Sequence, residues 1–76
     1  MESIKRYTFN SLYNKIIGKK VHFTSDCEFF PNFNVTGRVI NITNNGSEYI
    51  MKCILNTGRT IDIGSNMRNL KFELIS

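Results

Sequence analysis

Side chains able to do chemistry are few in this chain of 76 residues, and none stands in a pattern that chemistry needs. His22 is the one histidine. A general base needs a partner within hydrogen-bond reach, and the alternation around His22 sets it on an outward strand face, where it reads as a surface residue. Asp26 and Glu28 lie two residues apart, but the third acid of a calcium or magnesium loop is missing. Cys27 sits between these carboxylates, which oppose formation of a thiolate. Cys53 falls inside a strand pattern and reads as a small core residue. Two cysteines make neither a four-ligand zinc site nor a disulfide framework. One bridge between them is the alternative to free thiols. Gly58 and Gly64 belong to different turns, so no phosphate-cradling loop is present. The chain is therefore expected not to be an enzyme and to carry no cofactor or metal.

Binding is the chemistry that remains. The stretch Glu28-Phe29-Phe30-Pro31-Asn32-Phe33 holds three phenylalanines in five residues and the one proline. Read as a loop, it is a sticky platform for a protein partner or for stacked bases if exposed. If folded over the core it is a lid instead. Arg38, Arg59 and Arg68 are the cations that would flank such a platform.

Net charge is +4 and unevenly spread. Residues 1–20 hold Lys5, Arg6, Lys15, Lys19 and Lys20 against Glu2 alone, whereas five cations and five acids balance in the remainder. Lys15, Lys19 and Lys20 are thus the electrostatic candidates for steering towards nucleic acid or an acidic partner. The plainer reading is a solvated basic face.

The elements that must position these residues follow from pattern. Alanine, glutamine and tryptophan are absent, while aromatic and β-branched residues abound, a bias towards strands. Residues 1–7 are polar and expected to fray. Thr8 or Asn10 caps a short helix over Ser11–Ile17; Phe9, Leu12, Tyr13, Ile16 and Ile17 make its apolar stripe, and Gly18 ends it. Five strands are expected at Lys19–Thr24, Val35–Thr43, Ser47–Asn56, Arg59–Ile63 and Leu70–Ile75. A long loop covers Ser25–Asn34, Asn44-Asn45-Gly46 marks a hairpin, Thr57-Gly58 a second turn, and Gly64–Asn69 an irregular connection. Gly37 is read as a bulge or sharp bend. The whole is expected to be one domain over 1–76: helix 8–17, then a five-stranded SH3-like small β-barrel over 19–75.

An N-terminal helix running straight into this strand order resembles the Sm-like (Hfq-type) family. The residues carrying the likeness are Leu12-Tyr13-Asn14-Lys15-Ile16-Ile17-Gly18-Lys19-Lys20-Val21, Gly37-Arg38-Val39-Ile40 and Ile63-Gly64-Ser65-Asn66. Gly37-Arg38-Val39 is also similar to the KOW and Tudor-type barrels. Membership of the Sm-like family would imply RNA binding in a ring. Its Asp and Asn pair after the second strand, which binds uridine in many members, has no counterpart in Asn41–Gly46.

Two functions follow as expectations. The first is a binding module that docks on a partner protein, or on a second copy, through the aromatic loop. The second is an Sm-like or KOW-like barrel for RNA or single-stranded nucleic acid. No small-molecule substrate is evident. Neither a signal peptide nor a membrane-length apolar run is seen, so a cytoplasmic protein is expected, in which the sequons at Asn34, Asn41 and Asn45 stay unmodified. Richness in Asn, Ile and Lys points to an AT-rich genome, bacterial or phage.

Overall fold

The structure is a computed structural model that describes residues 1–27 and 30–75, with the side chains of Cys27, Phe30 and Pro31 outside that description. Its elements run β1 (Glu2–Ser3), a 3₁₀ turn (Ile4–Arg6), α1 (Phe9–Ile16), β2 (Lys20–Cys27), β3 (Phe30–Asn45), β4 (Glu48–Ile54), β5 (Thr60–Gly64) and β6 (Lys71–Leu74). The strands form one antiparallel sheet in the order β1-β6-β2-β3-β4-β5.

Local chemistry sets the ends of α1. The Thr8 hydroxyl accepts from the Ser11 N–H at 3.2 Å, filling one orphan donor of the first turn. The chain leaves the helix through Gly18 at φ +72°, a conformation that an L side chain resists. Leu12 and Ile16, on one side of the helix, are fully buried. They join Ile4, Val21, Phe23, Val39, Ile42, Met51, Cys53, Ile63, Leu70 and Phe72 in a single core to which the helix and five of the strands contribute. The two tight turns come from glycine. Gly46 (φ +68°) leads the two-residue connection between Asn45 and Glu48, and Gly58 (φ +86°) lies in the turn where the Leu55 N–H donates to the Arg59 carbonyl.

Three expectations fail for tertiary reasons. The expected five-stranded barrel is a six-stranded sheet that does not close. The N-terminal residues take the outer edge of β6, pairing Glu2 with Phe72 and Ser3 with Lys71, and β5 pairs with β4 alone among the described residues. Residues 1–7, expected to fray, are held: Ile4 is 1% exposed and its N–H donates to the Leu70 carbonyl at 3.1 Å. The Tyr7 ring meets Phe72 edge-on at 5.5 Å. The expected long loop over Ser25–Asn34 is largely strand: Thr24 pairs with Asn34, Ser25 with Phe33 and Cys27 with Phe30, past an irregularity between Ser25 and Cys27.

The curl of the sheet depends on β3, which has 16 residues. Its first part pairs with β2 and its last part with β4. Arg38 alone has a register partner on both sides, Lys20 and Ile54. The bulge that bends the strand is at Ile40, between Val39 and Asn41, rather than at Gly37. Gly37 answers a different need. A Cβ there would stand 2.9 Å from the Ile54 carbonyl oxygen, so the inside of the bend has no room for a side chain. Among the described residues no helix is long and apolar enough to cross a membrane.

Candidate functional site

Because Arg38 is shared by two partners, one row of outward residues crosses four strands: Lys20 on β2, Arg38 on β3, Ile54 on β4 and Thr60 on β5. The row continues past β2, where the Ile75 N–H donates to the Lys20 carbonyl at 2.9 Å. Lys19 precedes it and Arg59 stands in the turn that leads to Thr60. Two exposed aliphatic residues lie along the row: Ile54 (37% exposed) and Ile75 (48%). The surface is therefore a band of aliphatic groups interleaved with four cations.

A fork opens within the band. β3 and β4 pair only from Arg38 and Ile54 onward, and beyond Ile54 the chain turns away to Leu55 and Asn56. The gap is a shallow cleft of about 210 Å³ lined by Lys20, Gly37, Arg38, Ile54, Leu55 and Asn56. That is smaller than the roughly 300–1,000 Å³ of a site for a drug-sized ligand, so it accommodates a side chain rather than a metabolite. The Arg38 side chain is exposed, and its guanidinium is held by a 2.6 Å hydrogen bond from Nη1 to the Gly18 carbonyl, just past the end of α1.

Charge at the band is one-sided. The ion pairs among the described residues are Lys15 with Glu2 at 3.7 Å and His22 with Glu73 at 3.4 Å, and neither draws on the band. The nearest acids along the sheet occupy neighbouring rows: Asp62 opposite Lys52, and Glu73 opposite His22. His22 is held at both ring nitrogens, Nδ1 by Glu73 and Nε2 by the Asn34 side-chain oxygen. It thus clips β6, β2 and β3 together on the outer face and faces no nucleophile.

The other residues singled out by sequence separate. Lys15 belongs to a local cluster, lying 5.8 Å over the Tyr7 ring and beside Glu2. In that cluster the Tyr7 hydroxyl donates to Glu2 at 2.5 Å, which lowers the Glu2 pKa and raises that of Tyr7. Arg68 is at the far end of β2, where its carbonyl accepts from Ser25 Oγ at 2.6 Å and from the Asp26 N–H at 3.2 Å. Phe33, paired with Ser25, is half-buried against the core rather than displayed. Phe29 lies outside the described residues, as does the side chain of Phe30. Arg38 is five residues along β3 from Phe33, about 16 Å at strand rise, Arg59 lies in the β4–β5 turn, and Arg68 lies beside Ser25, the register partner of Phe33. Sequence reading missed the part played by Ile54 and Ile75, since period-two alternation alone does not say which apolar positions stay uncovered.

Cys53 carries a free, fully buried thiol. Burial, and then the charge of Asp62, pushes its pKa up to about 12, so it stays protonated and inert at neutral pH. Among the described residues no cluster of His, Cys, Asp or Glu is suited to hold a metal ion. No protein-family model, curated protein or solved structure matches the chain.

Proposed function

We propose that this chain is a non-enzymatic binding module that docks on a partner protein, with the band around the β3–β4 fork as the contact. The observation that carries the reading is the Lys20–Arg38–Ile54–Thr60 row, where exposed aliphatic residues and cations without an ion pair among the described residues converge. Aliphatic area gives affinity to a protein contact and the flanking cations give orientation. The finer architecture belongs to the same proposal: a relative of the SH3-like, Sm-like small barrels, supported by a capped helix that leads into the first long strand and a last strand that returns to pair with it.

Single-stranded nucleic acid is the second reading, favoured by the four clustered cations. It ranks lower because single-strand binders add aromatic faces for base stacking. The aromatic contacts among the described residues are made instead by Tyr7 with Phe72, and by Phe9 with Tyr13 and Tyr49, on the helix side of the core.

The test is a photo-crosslinking amino acid placed at exposed Asn56 and activated in the cell that makes the protein. A discrete protein adduct that disappears in Ile54→Ser is expected. Adducts with RNA or DNA in its place would overturn the protein reading.

A further inference from the structure

We infer that the partner presents an acidic segment with one aliphatic side chain, the carboxylates lying on Lys19, Lys20, Arg38 and Arg59 and the aliphatic group seated in the fork. This rests on the docking reading just given and names the chemistry of what docks. Three observations lead to it. The first is sign: the charged side chains of the row, Lys20 and Arg38, and those next to it in sequence, Lys19 and Arg59, are all cationic, while Asp62 and Glu73 of the adjacent rows stand opposite Lys52 and His22. A carboxylate approaching the band therefore meets attraction without a like charge in its way. The second is size: the cleft of about 210 Å³ between Arg38 and Ile54, the last paired residues of the fork, takes a single side chain. The third is polarity. Ile54 and Leu55 supply aliphatic wall while Lys20 and Arg38 stand at its margin. An aliphatic anchor between acids satisfies both kinds of wall at once, whereas a wholly acidic strand would leave Ile54 and Ile75 in water.

The experiment uses four fluorescein-labelled probes on the full chain: the peptide EDELDEE, its serine counterpart EDESDEE, the charge-reversed KRKLKRK, and oligothymidylate of about 15 nucleotides. Binding is read by fluorescence anisotropy at two salt concentrations. EDELDEE should bind, more weakly at high salt because exposed charges are screened. The serine peptide should bind at least about tenfold more weakly, the loss expected when an apolar group leaves a fitted pocket. Lys20→Glu and Arg38→Glu should each weaken EDELDEE by more than tenfold. Lys52→Glu, a cation of the same face one row away, should leave it within about twofold; circular dichroism checks that each variant is folded.

Equal binding of EDELDEE and EDESDEE, or an equal loss in Lys52→Glu, would mean general charge attraction and overturns the fork as the seat. Preference for KRKLKRK, or no binding of any probe, overturns the acidic partner. If the Asn56 adduct still identifies a protein in that case, the docking reading stands and only its chemistry is wrong. Tighter binding of oligothymidylate overturns both.

Discussion

Gly37 is where the geometry of the fork can be tested most sharply, by Gly37→Ala against Gly64→Ala. Both add one methyl group in a strand. At Gly37 the new Cβ meets the Ile54 carbonyl oxygen at 2.9 Å, Leu55 Cδ2 at 3.2 Å and Cys53 Cβ at 3.3 Å. The first two neighbours sit on opposite sides of the matter: a leucine methyl can shift, but the carbonyl belongs to the end of β4 and moves only with the strand. Overpacking of this kind costs about 1–3 kcal/mol. Against it stands the stabilisation from stiffening the unfolded chain, about 0.4–1 kcal/mol for glycine to alanine. The net loss is thus on the order of 1–2 kcal/mol. At Gly64 the close contact is Glu48 Oε2 at 2.8 Å, the far end of a flexible side chain that can rotate away. There the overpacking cost is small and roughly offset by the stiffening of the unfolded chain, so the net change lies within about 0.5 kcal/mol of zero. For a domain of this length a kcal/mol moves Tm by roughly 4–8 °C. Gly37→Ala should therefore melt about 5–15 °C below the parent and Gly64→Ala within a few degrees of it, by calorimetry or circular dichroism. Equal melting of the two variants would refute the claim that backbone closeness at the bend, rather than strand position, makes Gly37 necessary.

Further outcomes follow from the same structure. Ile4→Ala should destabilise by about 2–5 kcal/mol, a large share of what so small a domain has, because Ile4 is 1% exposed; a urea midpoint equal to the parent's would mean that the N-terminal segment is not docked. The lowered pKa of Glu2, caused first by the Tyr7 hydrogen bond, contributes stability that is present above its unfolded value near 4.5 and lost as pH falls through the folded value. The raised pKa of Tyr7 works the other way, its contribution present below its ordinary value near 10 and lost as pH rises through the folded one. Tyr7→Phe should then lower the urea midpoint at pH 7 and do so less at pH 3; an identical shift at both would exclude the hydrogen bond as its source. In a Cys27→Ser background, Cys53 should react with a thiol reagent at pH 8 only at the rate of opening, being buried with a pKa of about 12, and denaturant should accelerate it; rapid labelling of the native protein would place the thiol outside the core.

Local chemistry wrote much of this protein legibly. Thr8 as cap, Gly18 as exit, Gly46 and Gly58 as turn residues, and the inward sets Val21–Phe23, Met51–Cys53, Ile61–Ile63 and Leu70–Phe72 can all be read from spacing, since each depends on backbone rules that act within a few residues. Closure, edges and surfaces depend on partners far along the chain. Pro31 and its phenylalanines read as a loop because proline cannot donate to a ladder, yet strand is tolerated there because the early part of β3 has β2 on one side only. The polar residues 1–7 become structure because β6 offers them an edge, and they form one edge of a sheet whose other edge is β5. Leu74 keeps the inward register of its strand, opposite Val21, but ends beyond the layer that would cover it. The candidate site itself is a tertiary product. Lys20, Arg38, Ile54 and Thr60 are 18, 16 and 6 residues apart in sequence and meet only because β3 changes partners at Arg38, a register that no local propensity specifies.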